Sequence, residues 1–414
     1  MAEITVSRRG VIRELAAMVR AALGMPRFAA MPDWRCGAFT RGSPSPSSIL
    51  DRTGINLRAA ELDERTVNLV LSYGFRWIRT DISWRTVESR PGLFDFADLQ
   101  QRLQTAVNKG LKVLGILDYG HPLYTGMLAP RDEHQRSAFV RFAVEAVREL
   151  GSVVSAWEVW NEPNHPRFWP PRPDVSDYNS LLSAVATGVW SQNANAVLIA
   201  GGLSTVDQRF LAGLLPLVDS LAREGPMGLG LHPYRFTPPE TVAGELQRVG
   251  LLRGDGKAAT DRGVPVWLTE WGYCRGTGGI TATRQAEWMV RVPLVGAALD
   301  SPVTVLFELR DGGPQQQCGM VNPRDEPYPV SRAWQGMMRV LQKTASTFRV
   351  VPVGSDAPWS IGSCESALVW GRAPEGEGPF APIACEDGDP ACSTGVWEVA
   401  PARDHWLSKG KSCQ

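Results

Sequence analysis

From about Thr53 onward, short apolar runs alternate with amphipathic stretches. The runs at 54–57, 75–80, 111–117, 153–160, 196–200, 228–232, 264–269 and 303–307 are rich in Val, Ile, Leu, Phe or Trp. Most follow Gly or Pro, and together these marks predict strands. Their continuous apolar character predicts burial on both faces, as in parallel sheets. Between them the pattern takes a helical period over about 61–73, 96–109, 133–150, 177–193, 207–223, 239–253, 282–299 and 329–343. In the third of these, Phe139, Phe142, Ala143, Ala146 and Leu150 recur at helical spacing, with Arg136, Arg141, Glu145, Arg148 and Glu149 between them. Eight strands alternating with eight helices, at about 36 residues per unit, predict a (β/α)8 barrel, the TIM-barrel architecture. A doubly wound open sheet shares the alternation, but no GxGxxG follows the first strand.

The flanks break this beat. Residues 1–50 read as an N-terminal extension ending in a linker, Gly42-Ser43-Pro44-Ser45-Pro46-Ser47-Ser48. The stretch 11–24 is apolar-rich but interrupted by Arg13, Glu14 and Arg20, so it reads as an amphipathic helix and not as a signal peptide. The barrel is expected over 51–344. Residues 345–414 hold short β-like runs at 348–353, 367–371 and 396–400 among Gly and Pro, which predict a small C-terminal β-like appendage or a loosely ordered tail.

Composition narrows the function. The 43 Lys and Arg balance 43 Asp and Glu, so the basic surplus of a nucleic-acid binder or of an anionic-membrane binder is missing. No run has the ~18–20 apolar residues of a membrane span. Localisation is expected to be extracellular or periplasmic if the start is misassigned or export is unconventional, and otherwise cytoplasmic. Seven Cys without a CxxC pair, and five His without HExxH, supply a metal site poorly, and no cofactor is implied. Four of the Cys (Cys364, Cys385, Cys392, Cys413) fall in the tail, as a disulfide staple or as free thiols. Fifteen Trp is a high count, and some are expected to line a binding surface.

The chemistry concentrates at two strand ends. Trp157-Glu158-Val159-Trp160-Asn161-Glu162-Pro163-Asn164 closes the fourth strand, and Trp267-Leu268-Thr269-Glu270-Trp271 closes the seventh. Catalytic groups of a (β/α)8 barrel project from such ends. Glu162 and Glu270 are 108 residues apart, three units of the repeat, so they are expected to face one another across the mouth. Period two places Val266, Leu268 and Glu270 on one face. Two facing carboxylates are what glycoside hydrolysis requires. Glu158, on the same side of its strand as Glu162, reads as a buried, paired carboxylate.

With these motifs, residues 53–343 resemble the clan A retaining glycoside hydrolases, most of all family 39 and the related exopolysaccharide endoglycosidases, with cellulase-type family 5 as a more distant comparison. The resemblance implies that Glu162 is the acid/base and Glu270 the nucleophile of a double displacement on an oligo- or polysaccharide. It implies substrate-site roles for Arg79, His232 and Tyr234, with Arg79 helping to keep the nucleophile ionised. Asn161, beside Glu162, carries an amide that can donate to a sugar hydroxyl at the mouth. His121 is a further sugar contact, and Trp84, Trp160, Trp169 and Trp271 are candidate sugar platforms. One departure from family 5 stands out. The eighth strand ends in Phe307-Glu308-Leu309-Arg310-Asp311, with no Trp, so Glu308, Arg310 and Asp311 become alternative substrate contacts. Transglycosylation at the same site and a non-catalytic carbohydrate-binding barrel are the competing readings.

Overall fold

The computed structural model describes residues 46–343, except 255, 277–279 and 314–315, and the backbone of five short strands between 349 and 399. Eight parallel strands close a barrel: β1 (Thr53–Asn56), β2 (Trp77–Ser83), β3 (Lys112–Asp118), β4 (Ala156–Val159), β5 (Leu198–Ser204), β6 (Met227–His232), β7 (Val266–Trp271) and β8 (Thr304–Leu306). Each strand pairs with the next along the chain, and β8 pairs with β1 to complete the ring. All eight coincide with the runs read from the sequence.

The helices follow the same agreement. Glu133–Leu150 buries Phe139, Phe142, Ala143, Ala146 and Leu150, the stripe its periodicity marks. Its start is fixed by Asp132, whose carboxylate accepts from the Gln135 N–H at 2.8 Å. Two expected helices are interrupted. Residues 282–299 form Ala282–Met289 and Val292–Ala298, the second opening on a Pro that has no N–H to continue a helical ladder. Residues 239–253 yield a single 3-10 turn and the short helix Val242–Arg248. The sequence reading lacked the Trp84–Val87 helical turn and the small hairpin of Glu88–Arg90 with Leu93–Phe94.

Two apolar clusters hold the barrel. The larger lies between strands and helices and includes Ile55, Phe75, Ile78, Val113, Phe139 and Leu181. The smaller comprises Trp77, Leu114, Ala156, Ile199, Trp267, Val303 and Val305, which fill the interior. Trp77 and Trp267 meet edge to face at 6.1 Å, and a Cβ at Gly54 or Gly228 would come within 2.8 Å of one or the other. Glycine there makes room for two indoles inside a narrow ring. Above this plug the inward positions turn polar, and that layer forms the mouth.

Beyond the barrel, five strands form an antiparallel sheet in the order Arg349–Val351, Trp359–Gly362, Ala367–Trp370, Val396–Val399, Phe380–Pro382. Three of them match the expected β-like runs. The linker reading at 42–48 gives way in part to a helix, Pro46–Asp51. The amphipathic stretch 11–24 and the four tail cysteines lie outside the described residues. A disulfide that the sequence reading did not pair joins Cys274 to Cys318, tying the loop after β7 to the loop after β8. No helix among the described residues is long and apolar enough to cross a membrane.

Candidate active site

The polar layer is organised around Arg79 on β2, which is 1 % exposed. All five of its N–H donors are used. Nε donates to Glu158 Oε2 at 2.9 Å, and the two Nη groups donate to Asn56, Glu270, Glu158 and Asn161 at 2.7–3.2 Å. Burial works against the guanidinium charge, but Glu158 and Glu270 outweigh it and raise its pKa. Glu158 is fully buried. Desolvation would raise its pKa, yet Arg79, and then His232, bring it down to about 2. A buried charge survives only when paired and hydrogen-bonded in this way. Glu158 is therefore the paired barrel carboxylate its position suggests.

Glu162 reaches the mouth through a strained turn. Trp160 (φ 70°) and Glu162 (φ 46°) both occupy the left-handed region, which non-glycine residues seldom enter. The turn is clamped by the Trp160 N–H on the Leu117 carbonyl and the Glu162 N–H on the Gly202 carbonyl. Such strain persists where surrounding structure over-determines it, and it collects at functional sites. Asn161, between the two, accepts from Arg79.

Glu270 needs a correction to its period-two argument. On β7 the inward residues are Trp267 and Thr269, whose hydroxyl donates to Glu158 at 3.3 Å, while Val266 and Leu268 belong to the outer core. Glu270 reaches the mouth because β7 takes one extra residue against β8 between Leu268 and Trp271, a bulge that re-aims the side chain, and not because it shares a face with Leu268. There Arg79 donates to Oε2 at 2.7 Å and the Tyr234 hydroxyl donates to Oε1 at 2.6 Å. His232 stands between the acids, with Nδ1 3.1 Å from Glu162 and Nε2 3.4 Å from Glu158. Burial disfavours the charged ring, but Glu270 and the contacts to Glu158 and Glu162 push its pKa up to about 9.

One carboxylate oxygen of Glu162, one of Glu270 and a ring nitrogen of His232 lie within 4.8 Å of one another. That is also a three-donor geometry for a cation. The set suits a metal poorly: the two ring nitrogens of His232 already face the Glu162 and Glu158 carboxylates, and the Arg79 guanidinium already donates to Glu270.

Other sequence-stated contacts are relocated. His121 is buried, with Nε2 2.8 Å from the Glu88 carbonyl and Nδ1 accepting from the Leu123 N–H, so neither nitrogen is left for a sugar. Trp84, Trp160, Trp169 and Trp271 are all fully buried. Trp169 packs edge-on against Trp160 and Tyr178, and Trp271 lies beneath the Arg235 guanidinium. The platform reading is corrected for Trp84, Trp169 and Trp271, whose rings are taken up by packing, whereas Trp160, though buried, borders a cavity beside the site. Arg310 and Asp311 are likewise committed, to Asp325 and Thr66 and to Arg275, Tyr328 and the Gly319 N–H. Glu308 is different. It is buried, its Oε1 meets no donor, and burial pushes its pKa up to about 8 against the pull of Arg58.

A cavity of about 560 Å³ borders the site on the β2–β4 side, lined by Asp81, Asp118, Tyr119, Arg167 and Phe168 among others. The sequence reading named none of these as site residues. Asp81 could have been found, since it is two residues beyond Arg79 on one strand face.

The chain resembles known proteins in the same region. Among solved structures, a family 39 glycoside hydrolase from the gut symbiont Bacteroides cellulosilyticus WH2 superposes with a TM-score of 0.63 at 21% identity, over 90% of this chain and 81% of that one. A family 39 β-xylosidase from Caulobacter crescentus gives 0.55 at 18%, over 80% and 79%. A psychrophilic family 10 endo-β-1,4-xylanase gives 0.53 at 14%, over 72% and 99%. At these identities the likeness speaks for the fold. No curated protein matches the chain in sequence. The family model described as Cellulase (glycosyl hydrolase family 5) matches residues 53–301, from the first barrel strand almost to the last and across both carboxylate-bearing strand ends. On that match the chain belongs to the cellulase family, glycosyl hydrolase family 5, and is a glycosidase built on a (β/α)8 barrel.

Proposed function

We propose that Glu270 is the nucleophile and Glu162 the acid/base of a retaining hydrolysis of O-glycosidic bonds in an oligo- or polysaccharide. The observation that carries this is the approach of one oxygen from each acid to within 4.8 Å at the barrel mouth. Retaining enzymes hold their carboxyls roughly 5–5.5 Å apart, whereas inverting ones leave roughly 6.5–9.5 Å for a water.

The two surroundings differ as the two roles require. Glu270 receives donors on both oxygens, from Arg79 and Tyr234, which hold it in one orientation for attack at the anomeric carbon. Glu162 contacts His232 and delivers its proton to the leaving oxygen, and a glycosyl ester forms on Glu270. Glu162 then takes a proton from water, which cleaves the ester. Asn161, held by Arg79, presents its amide N–H groups toward sugar hydroxyls at the same mouth. Residues 51–344 act as the catalytic unit, following an extension at 1–50 and preceding a C-terminal region at 345–414.

Similar structures carry the names β-xylosidase, exo-β-1,4-mannosidase and endo-β-1,4-xylanase, which makes β-linked pentose and hexose glycans the first substrates to screen. Glu162→Ala is expected to lower kcat by about 10²–10⁴-fold. Glu270→Ala is expected to lower it by on the order of 10⁴-fold or more. Azide added to Glu270→Ala should restore turnover with a product of inverted configuration. Wild-type rates in either variant would refute the assignment. Transglycosylation would use the same two residues and is separated from hydrolysis by product analysis alone.

A further inference from the structure

Next to the two acids, the inner face of the barrel carries a second pair of carboxyls. In the parallel pairing of β2 with β3, Asp81 stands opposite Ile116 and Ser83 opposite Asp118, so both aspartates project from one face of adjacent strands. Both line the 560 Å³ cavity. Asp118 is 0 % exposed, and neither of its oxygens meets an N–H or O–H donor among the described residues. The Asp81 carboxyl faces it. Two neighbouring carboxyls without other donors share a proton, because both cannot ionise at close range.

The same cavity has an aromatic wall. Tyr119 follows Asp118 directly, and its ring stacks on Phe168 from the loop after β4, with centroids 5.9 Å apart and planes 16° from parallel. Both rings are half-buried, unlike the four tryptophans. The Arg167 guanidinium lies 5.5 Å from the Phe168 ring centroid. A half-exposed ring stack with hydrogen-bond acceptors beside it suits a pyranose, which offers an apolar CH face and a rim of hydroxyl donors. The volume falls within the ~300–1,000 Å³ of ordinary ligand pockets.

We propose that this cavity is a sugar subsite for a further unit of the glycan, in which Asp81 accepts hydrogen bonds from sugar hydroxyls and Asp118, carrying the shared proton, holds Asp81 in place. The proposal rests on the catalytic reading of Glu162 and Glu270 and adds to it a residue that measures chain length. Asp81 touches the substrate, and Asp118 is a positioning residue that acts through it. The electrostatics agree with this division. Burial drives Asp118 well above the usual carboxylate range, and the charge of Asp81 adds to the effect. Burial raises Asp81 too, but Arg79 and the hydrogen bond from Asp118 draw it back. The other charges facing the pair are Glu158 on β4 and Glu270 on β7, with Arg85, Arg167 and the paired Asp98 and Arg102 at the rim.

The test compares kcat/KM on β-1,4-linked gluco-, manno- or xylo-oligosaccharides with kcat/KM on the matching 4-nitrophenyl monoglycoside. Asp81→Ala should lower that ratio by about 10-fold or more, the cost of losing a hydrogen bond to a charged acceptor. Asp118→Ala should lower it as well. Asp118→Asn should restore it to within a few-fold of wild type, since a neutral amide donates to Asp81 as the protonated acid does. A second readout needs no substrate. The infrared difference spectrum of wild type minus Asp118→Asn at pH 7 should show the carbonyl stretch of a protonated carboxyl. An unchanged length ratio in Asp81→Ala, or absence of that band, overturns the subsite. Glu162→Ala and Glu270→Ala are measured on the same substrates. If they retain activity, the catalytic reading fails. If they are inactive while the Asp81→Ala ratio is unchanged, only the subsite fails.

Discussion

Four side chains accept hydrogen bonds from Arg79, and one of them, Glu158, packs directly against the backbone of Gly202. A Cβ at Gly202 would lie 1.7 Å from Glu158 Oε1 and 3.0 Å from His232 Nε2, and its φ of +56° already favours glycine. Gly202→Ala should therefore displace Glu158 from both cations. Breaking a buried charge pair costs about 3–5 kcal/mol. Urea titration of the variant should show a loss of that size, and wild-type stability would contradict the packing described. At this scale the sequence revealed identities but not commitments. Glu162, Glu270, Arg79, His232 and Tyr234 could be named because strand ends and family motifs mark them. Nothing in the string separates His121, whose ring nitrogens are taken by backbone, from His232, which bridges two acids. The tryptophans failed for the same reason: an indole that packs in a core and one that stacks on a sugar have the same neighbours in sequence.

Among the elements, barrel strands were legible because each is a short apolar run between punctuating residues, and the Glu133–Leu150 helix because its stripe and its cap agree. Boundaries were poorer where tertiary contacts intervene, as in the split of 282–299. The turn after β4 was invisible. Two left-handed non-glycine residues are held by hydrogen bonds that their N–H groups donate to the Leu117 and Gly202 carbonyls, neither of them local in sequence. The Cys274–Cys318 bond was equally hidden, because the composition drew attention to the tail. It closes a loop with a sequence separation of 44 and joins the segment just beyond Glu270 to the loop beyond β8. Replacing both cysteines by Ala should lower stability by about 2–4 kcal/mol, measured by denaturant titration with and without reductant. The reductant should shift the midpoint of the variant less than that of the wild type, and an unchanged midpoint on reduction of the wild type would contradict a formed bond.

For the whole molecule, the buried acids and His232 set a pH dependence. The folded pKa of Glu308 is raised from 4.5 to about 8, so its carboxyl stays protonated in the native state while the unfolded chain ionises. Its contribution is complete below pH 4.5 and is lost as pH rises through 8. His232 works in the same direction, with stability present below pH 6.5 and lost as pH rises through about 9. Glu158 works in the opposite one, with stability present above pH 4.5 and lost as pH falls toward 2. Glu308→Gln cannot ionise, so its melting temperature should fall less than that of wild type between pH 5 and pH 8. Parallel curves would show that Glu308 ionises freely in the native state. The family resemblance pointed to the end of β8 by the absence of a Trp, and the structure places there a buried acid whose Oε1 meets no donor and whose Oε2 lies 3.8 Å from Arg58.

The stereochemistry of cleavage tests the central claim most directly. Proton nuclear magnetic resonance of the first product formed from a cleaved oligosaccharide reports the anomeric configuration before mutarotation. Glu162 and Glu270 at their observed separation predict a product with the configuration of the substrate. A first product of opposite configuration would mean that water, and not Glu270, attacks the anomeric carbon.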